Sequence, residues 1–456
     1  MNTTYTVKHI QKGLTLLFSV LVTTAPSGPL RDYASDRAFV ESYRRGAIAM
    51  AKKKSEALGV SPAGARVYVG PRIATGGGFT GHFLWDAAFS VFWAVHLEPG
   101  TMPVASTLDN LYRFADDDGY IGREFTADGR PVWNARHPVS FNPPMLSWAE
   151  LALADSPCAE KGRLEKVYPV LVRHREVYSR RFRRADGLYF GCLLGCGMDD
   201  MPRWPRSYTA QQIHAGGMAL TPDSLGAAAK HMWRQWLFRL ATNNTWSCQA
   251  GWIDMSASAA LDAKCLAEIA RRLGRKDDEA KFLKEYGELK EVINRKCWDE
   301  ETGFYYDVSD SGIIRRRHLG ALWTLVSGVA TKERVRRMMK TLFDPDVFYR
   351  PVPLASLEKD DPAYMTEDGY FRGAAWQHLN FLAIRGMMDY GFKAEAEKLG
   401  RRWYNCAARF YEKTGGIYEN LSSEQYDRPK KMSYPDYAGH GCLTPIAYPE
   451  LFGWRK

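Results

Sequence analysis

The sequence has no apolar stretch of membrane-spanning length after its first 25 residues. A transmembrane helix needs about 20 consecutive apolar residues, so residues 26–456 are not expected to cross a membrane. Cysteine is also sparse. The eight cysteines match no metal-binding spacing, and the nearest pair, Cys192 and Cys196, lies in a glycine-rich segment. We therefore expect no metal centre built on cysteine.

The motifs of several enzyme classes are missing. There is no Walker A motif, no His-Glu-x-x-His and no Gly-x-Ser-x-Gly, which argues against P-loop, zincin and α/β-hydrolase chemistry. Gly76-x-Gly78-x-x-Gly81 formally matches the dinucleotide fingerprint. No alternating strand–helix pattern follows to build the parallel sheet that this fingerprint requires. We expect no cofactor.

Long runs of one charge sign are absent as well. The 62 basic and 52 acidic residues give a net charge of +10, but the basic residues are scattered in short clusters such as Arg315-Arg316-Arg317. No basic–aromatic motif of a nucleic-acid-binding module accompanies them. Solvated helix faces explain these residues better than a nucleic-acid partner does.

Residues 1–25 have the pattern of a secretory signal peptide. Lys8 and Lys12 form a positive n-region, Leu14 to Val22 is a short apolar run, and Thr23-Thr24-Ala25 offers small residues for cleavage. No cysteine follows the run to accept a lipid. We expect a periplasmic or secreted protein with no stable membrane anchor after cleavage, whose residues 26–456 form a single catalytic domain.

Apolar residues recur at helical spacing through most of the chain after residue 35. Val335, Met338, Met339 and Leu342 make one such stripe, and similar stripes occur near residues 266, 282, 381 and 399. Loops with glycine and aspartate separate the stripes, and no low-complexity linker divides residues 36–456. This pattern is typical of one all-α domain built from helical hairpins. A closed ring of hairpins would leave one rim of loops free to build a pocket.

The sequence is rich in aromatic residues, with 14 Trp and 24 Tyr, and several carboxylates lie in aromatic, glycine-rich loops. Cleavage of a glycosidic bond needs two carboxyl groups in opposed environments, one protonated and the other ionised. The candidates from the residues alone are Asp86, Asp199, Asp200, Asp254 and Glu419. Asp200 and Asp254 are equally well explained as helix caps, and Asp86 as a buried structural partner.

Six segments resemble, in order, motifs of the trehalases and, more closely, of the processing α-glucosidase and mannosylglycerate hydrolase group, glycoside hydrolase family 63. The segments are Gly81-His-Phe-Leu-Trp-Asp-Ala-Ala-Phe89, Asn142-Pro-Pro-Met-Leu-Ser-Trp148, Cys196-Gly-Met-Asp-Asp-Met-Pro-Arg-Trp204, Tyr370-Phe-Arg-Gly-Ala-Ala-Trp376, Tyr418-Glu-Asn420 and Pro435-Asp-Tyr-Ala-Gly439. The third, similar to Ser-Gly-Met-Asp-Asn-Ser-Pro-Arg-Trp, is the most specific. The resemblance covers roughly residues 75 to 450.

This resemblance implies an (α/α)₆ toroid of the six-hairpin glycosidase type and an inverting α-glycoside hydrolase. It gives Asp199 the position of the general acid and Glu419 that of the general base. No residue of the sequence is assigned to a metal site. It also implies a sugar-binding subsite, whose residues in this sequence are Trp85, Asp86, Asn142, Arg203, Trp204, Arg372, Trp376 and Asn380. The expected partner is a small carbohydrate: an α-linked glucoside or related disaccharide, oligosaccharide or glycosylglycerate.

Several residues depart from the family pattern. Cys196 replaces a serine, Asn142 replaces a glutamine and His440 replaces a tryptophan near the end of the last motif; the other departures are Asp200, Met201 and Ala374. These changes fall in the segments expected to line the pocket, so they bear on the substrate more than on the reaction type. Glu424 is a competing general base, although the context of Glu419 fits the motif better.

Two alternative functions stay open. One is a sugar-binding protein that has lost catalysis. The other is another toroid activity, such as a rhamnosidase or a sugar epimerase. An epimerase would need a pair of histidines in the pocket, and three of the ten histidines lie near motif segments: His82, His378 and His440.

Overall fold

The structure is a computed structural model, and it describes residues 30–58, 68–132, 141–191, 195–199, 201–203, 250–366, 369–425 and 433–455. Arg31–Lys456 form one compact unit. The predicted signal peptide, residues 1–25, lies outside the described residues. None of the described helices is both long enough and apolar enough to span a membrane.

Twelve helices are present in the described part of the chain, and they alternate between two environments. One set, the outer helices, has a buried apolar face and an exposed polar face: α1 (Arg37–Glu56), α3 (Val104–Arg113), α5 (Arg163–Phe182), α7 (Lys276–Lys296), α9 (Lys332–Leu342) and α11 (Lys393–Thr414). The stripe predicted from Val335 to Leu342 is the buried face of α9. A single apolar stripe of this kind faces a core.

The other set, the inner helices, consists of α2 (Leu84–Ala94), α4 (Leu146–Ala154), α6 (Ile253–Arg272), α8 (Trp323–Val326), α10 (Gln377–Asp389) and α12 (Tyr448–Phe452). Most residues of these helices are buried, except in α12, where only Tyr448 and Pro449 are. Every residue of α2 is buried. A helix without a polar face is surrounded by protein, which fits the position of α2 between its neighbours. A π-helical turn, Leu443–Ala447, precedes α12.

The inner helices form a closed ring. Contacts run from α2 to α4, α6, α8 and α10 in turn, and from α10 through the π turn back to α2. Each connection from one inner helix to the next passes through an outer helix, so the chain forms successive helical hairpins around a common centre. The predicted ring closure, which periodicity cannot reveal, is present.

Nine short strands lie in the loops of the described ranges: β1 (His82–Phe83), β2 (Glu124–Phe125), β3 (Ala250–Gly251), β4 (Trp298–Asp299), β5 (Phe304–Tyr305), β6 (Asp307–Ser309), β7 (Gly312–Ile314), β8 (Ala375–Trp376) and β9 (Asn420–Leu421). All pairings among them are antiparallel, in the orders β1-β2, β3-β6-β7, β4-β5 and β8-β9. Strands β1, β3 and β8 lead into the inner helices α2, α6 and α10. These strands hold the loops at the end of the ring where those helices begin.

Candidate active site

A cavity of about 290 Å³ opens where inner helices α2 and α10 begin. This volume is at the small end of the range for small-molecule sites, roughly 300–1,000 Å³. Six of the predicted site residues line the cavity together: Trp85, Asp86, Asn142, Asp199, Trp376 and Glu419. The two predicted catalytic carboxyl groups therefore share one cavity.

Glu419 is held at the start of strand β9, with its side chain buried in the cavity wall. The Tyr370 hydroxyl donates a hydrogen bond to Glu419 Oε1 at 2.5 Å, and the backbone N–H of Glu419 donates to the Tyr434 carbonyl at 3.0 Å. Burial raises the pKa of the Glu419 carboxyl well above its usual range, and the charges of Asp86 and Asp199 raise it further. The Tyr370 and Tyr437 hydroxyls act in the opposite direction. Together these effects favour the protonated form of Glu419 more than in a solvated glutamate.

Asp199 lies on a tight loop and, like Glu419, lines the cavity. Gly197, two residues earlier, has a φ of +73°, and the Trp85 indole occupies the space that a Cβ at this position would need. Only glycine combines that backbone conformation with so close an approach. The Asn142 side-chain amide donates to the Gly195 carbonyl at 2.8 Å and so secures the start of the loop. The charge of Asp199 acts on both Glu419 and Tyr370.

Asp86 adds a third carboxyl group, in the first turn of α2. The Tyr437 hydroxyl donates to Asp86 Oδ1 at 2.6 Å. Burial raises the pKa of Asp86 to about 7, against the smaller opposing effects of that hydrogen bond and of Arg123. The first turn of a helix favours an anion through its free N–H groups and dipole, but burial outweighs this effect here.

Aromatic rings cover much of the cavity wall. The Trp376 ring lies flat on Phe371, with centroids 3.9 Å apart and planes inclined by 5°. Trp85 meets His378 edge-on at 5.2 Å, and His378 meets His440 at 4.6 Å. Flat aromatic faces provide large, rigid contact area, which suits the apolar faces of a sugar ring.

Three other predicted substrate-binding residues of the described chain lie outside the cavity lining: Arg203, Arg372 and Asn380. Arg203 is buried and forms ion pairs with Asp254 and, at 2.7 Å, with Asp307. The Asn380 amide donates to the carbonyls of Pro353 and Trp376, at 3.2 and 3.0 Å. Arg203 thus stabilises the end of the Asp199 loop through its ion pairs, and Asn380 stabilises the start of α10 through its hydrogen bonds. Trp204 and Asp200 lie outside the described residues.

The competing carboxylates, Glu424 and Asp254, form ion pairs outside the cavity lining. Glu424 receives two hydrogen bonds from Arg350, at 2.8 and 2.9 Å, and one from the Tyr364 hydroxyl at 2.6 Å. Burial opposes these contacts, yet the pKa of Glu424 is lowered. Neither Glu424 nor Asp254, the partner of Arg203, lines the cavity. Of the two glutamates considered as general base, only Glu419 lines the cavity with Asp86 and Asp199.

Several lining residues were missed in the sequence. Tyr370 and Tyr437 line the cavity and lie inside motif segments. Motif membership was the only signal in the sequence for these residues. Tyr370 contacts Glu419 and Tyr437 contacts Asp86 in the folded protein, but the partners are far apart along the chain.

His378 and His440, which the sequence brought forward only as a histidine pair for an epimerase, line the cavity too. Phe79, two residues before the first motif segment, and Arg123, which no motif marks, line the cavity as well.

Within the described ranges, no three His, Cys, Asp or Glu side chains are arranged to hold a metal ion. The groups that converge in the cavity are carboxyls, tyrosine hydroxyls and imidazoles. This set can bind hydroxyl groups and transfer protons.

Residues 81–434 match the family model of the mannosylglycerate hydrolase MGH1-like glycoside hydrolase domain. A mannosylglycerate hydrolase of glycoside hydrolase family 63 from Thermus thermophilus, solved in complex with glucose, superposes with a TM-score of 0.67 at 16% identity, over 88% of this chain and 99% of that one. Neutral trehalase Nth1 from Saccharomyces cerevisiae superposes with a TM-score of 0.60 at 14% identity, over 83% and 73%.

In sequence, a protein of Borreliella burgdorferi is 20% identical over 307 residues, which cover 66% of this chain and 54% of that protein. The match thus spans about half of that relative's length. The structural likenesses confirm the predicted (α/α)₆ toroid.

Proposed function

Because the chain belongs to the mannosylglycerate hydrolase MGH1-like glycoside hydrolases, we propose that it hydrolyses an α-linked glucoside or glycosylglycerate with inversion at the anomeric carbon. The family resemblance predicted from the sequence is confirmed by that match. The observation that carries the finer proposal is the cavity shared by Asp199 and Glu419, in which the charge of Asp199 raises the pKa of Glu419.

In the proposed reaction, Asp199 donates its proton to the glycosidic oxygen while Glu419 removes a proton from a water molecule on the opposite face of the sugar. The water oxygen bonds to the anomeric carbon as the bond to the leaving oxygen breaks, so the product has the opposite anomeric configuration. Inverting enzymes keep the two carboxyl groups roughly 6.5–9.5 Å apart to admit that water. We expect the same separation here.

Glu419 must be ionised to act as base, yet burial raises its pKa. A raised pKa makes the carboxylate a stronger base once the proton is lost. The Tyr370 hydroxyl and the Tyr437 hydroxyl both favour the ionised form. The proposal therefore implies an enzyme that is active only above the raised pKa of Glu419.

The size and lining of the cavity support a small glycon. Its volume of about 290 Å³ and its two tryptophans, Trp85 and Trp376, suit one sugar ring better than a long chain. The Thermus structure is a mannosylglycerate hydrolase that contains glucose, which supports glycosylglycerates and glucosides as the first substrates to assay.

Proton NMR of the products from a panel of α-disaccharides and α-glycosylglycerates tests the reaction. We expect the β-anomer of the released sugar to appear first. D199N and E419Q should lower turnover by about 1,000-fold, on the order of the effect of general acid–base groups, without loss of the folded state by circular dichroism. Near-normal activity in either variant, or an α-anomer as first product, would refute the assignment.

An α-glycosyl fluoride separates the roles of the two carboxyl groups. Fluoride leaves with little help from an acid, whereas attack by water still needs the base. D199N should therefore keep substantial activity on the fluoride, and E419Q should lose it. The reverse result would exchange the two roles.

A second candidate, a sugar epimerase, is favoured by one observation: His378 and His440 both line the cavity. However, their rings contact each other and so lie on one wall, whereas epimerisation by two bases needs groups on opposite faces of the substrate. Deuterium incorporation at a sugar carbon from D₂O would support an epimerase, and hydrolysis leaves no such label.

We also propose that residues 1–25 direct export and that residues 26–456 form the mature catalytic domain. The pattern of Lys8, Lys12 and the following apolar run supports this. N-terminal sequencing of the protein from its native host tests the cleavage. A mature chain that begins at Met1 would exclude it.

A further inference from the structure

Two histidines form a contacting pair in the cavity wall. His378, in the first turn of α10, and His440, just before the π turn, are buried, and their ring centroids are 4.6 Å apart. Both line the cavity that contains Asp199 and Glu419. The proposed acid–base chemistry uses neither imidazole.

The surroundings of the pair are otherwise aromatic. His378 lies within 5.2–5.5 Å of the rings of Trp85, Phe89 and Trp376, and His440 lies 4.7 Å from the ring of Tyr437. Besides the imidazole nitrogens, the Tyr437 hydroxyl is a polar group near the pair, and it already donates a hydrogen bond to Asp86.

Burial keeps both rings neutral. It lowers the pKa of His440 to about 3 and that of His378 well below its usual range, and the neighbouring imidazole lowers the pKa of His378 further. A neutral imidazole carries one N–H donor and one acceptor nitrogen. Each neutral ring therefore carries one donor and one acceptor, and neither ring is a source of protons.

These nitrogens lack well-aligned protein partners. Among the described residues, neither ring nitrogen of His378 nor Nδ1 of His440 has one that meets hydrogen-bond geometry. The backbone of Gly197, in the Asp199 loop, acts on the His378 ring. Buried polar atoms without partners are costly, so a ligand that supplies hydroxyl groups at this place would be favoured over one that does not.

We propose that His378 and His440 form a neutral hydrogen-bonding pair that selects the sugar in the cavity by one or two of its hydroxyl groups. This inference rests on the proposed function, since it assigns the pair to the glycon of the same site. It makes both histidines specificity determinants, and a tryptophan at position 440, as in the family pattern, would offer one donor and no acceptor.

The test measures monosaccharide binding by isothermal titration calorimetry, with D-glucose, D-mannose, D-galactose and the 2-, 3-, 4- and 6-deoxyglucoses as probes. We expect wild type to bind at least one deoxy or epimeric probe about 10- to 100-fold more weakly than glucose, the range expected for an unpaired buried polar group. H378F and H440F should bind glucose more weakly by a similar factor and lose the discrimination at that hydroxyl.

The matched control is H174F, because His174 is also buried and stacks on Phe141 at 5.0 Å but lies outside the cavity. This variant should keep the wild-type preferences. If a phenylalanine variant does not fold, H378N and H440N keep polar groups of smaller size and should shift the preferences without erasing binding. Unchanged preferences in variants that bind sugar would overturn the inference. Absence of binding to every monosaccharide in wild type would instead count against the proposed glycosidase site.

Discussion

Burial is the main cause of the shifted pKa values of the Glu419 and Asp86 carboxyl groups in the cavity. Glu419 and Asp86 both lose hydration and both have raised pKa values, while hydroxyls from Tyr370 and Tyr437 partly restore the stability of the ionised forms. A hydrogen bond to a charged group stabilises it by about 1.5–3 kcal/mol, and one pKa unit corresponds to about 1.4 kcal/mol. Individual hydroxyl groups should therefore have measurable effects on pH dependence.

Removal of the Tyr370 hydroxyl should move the activity profile. In Y370F the ionised form of Glu419 loses its 2.5 Å hydrogen bond, so its pKa rises further and the acidic limb of kcat/KM should shift to higher pH by about one unit or more. The measurement is kcat/KM over the pH range of activity. Y364F is the matched control, since Tyr364 bonds Glu424 outside the cavity. A limb that does not move in Y370F would show that Glu419 does not govern it.

Ionisation of Asp86 should cost stability. Its pKa is about 7 in the folded protein and near 3.8 when solvated, so the folded state binds more protons between these values. The contribution of protonated Asp86 to the free energy of unfolding is complete below about pH 4 and is lost as the pH rises through about 7. In wild type, this loss lowers the free energy of unfolding by up to about 4 kcal/mol between these pH values. D86N lacks the titrating group, so its free energy of unfolding should fall less across the same window.

Urea unfolding at several pH values measures that slope. Glu419 has a raised pKa for the same reason, so E419Q should flatten the slope as well, and the double variant should flatten it most. Equal slopes in wild type and D86N would contradict the raised pKa of Asp86.

The candidate site could be predicted from the sequence only as far as its motifs extend. Asp199, Glu419, Asp86 and Trp376 lie in specific segments and line the cavity. Arg203 lies in the most specific segment, yet it is paired with Asp254 behind the wall. A motif records which residues matter without recording whether they meet the ligand or support those that do. That difference depends on side-chain direction, which the sequence does not contain.

Among the elements, the helices follow from their apolar periodicity, and the loops that build the site do not. Helices α7, α9 and α11 coincide with apolar stripes in the sequence. The two-residue strands β1, β3 and β8 are too short to give a periodic pattern. They are fixed by pairing with distant segments, such as Trp376 with Asn420, and so depend on the folded ring.

The segment before the π turn approaches helix α2 closely. A Cβ at Gly439 would overlap the Asp86 carboxylate, and the Gly439 backbone is held by hydrogen bonds from Trp93 Nε1, at 2.7 Å, and to the Thr75 carbonyl, at 2.9 Å. In G439A the carboxylate should therefore move, because the backbone is fixed. We expect activity to fall by about 100-fold, as misplacement near a reacting centre does.

G287A is the control for that substitution. Gly287 lies within α7, and an added Cβ there would meet only open space, so alanine should stabilise the protein by about 0.5–1 kcal/mol through helix propensity. Thermal unfolding and activity of both variants make the comparison. Full activity of G439A would mean that the Asp86 position does not matter for turnover.

At the scale of the whole molecule, the ring is completed by residues that are far apart in sequence. The π turn meets α2, which lies near the other end of the described chain, and also contacts α10. The site therefore forms only when the ends of the ring meet, since Asp86 comes from α2 and His440 from the segment before the π turn. Long-range contacts of this kind must overcome loop-closure entropy during folding.

Thr444 in the π turn links three elements through one hydroxyl group. It accepts a hydrogen bond from Trp403 Nε1 of α11 at 2.7 Å and donates one to Gln377 Oε1 of α10, and all three side chains are buried. T444V keeps the shape and removes the hydroxyl, which leaves two buried polar groups without this partner. The free energy of unfolding should fall by about 2–4 kcal/mol, measured by urea denaturation. T341V, a matched substitution at a half-buried threonine of the outer helix α9, should change it by less than about 0.5 kcal/mol. A T444V protein as stable as wild type would mean that the ring is closed by apolar packing alone.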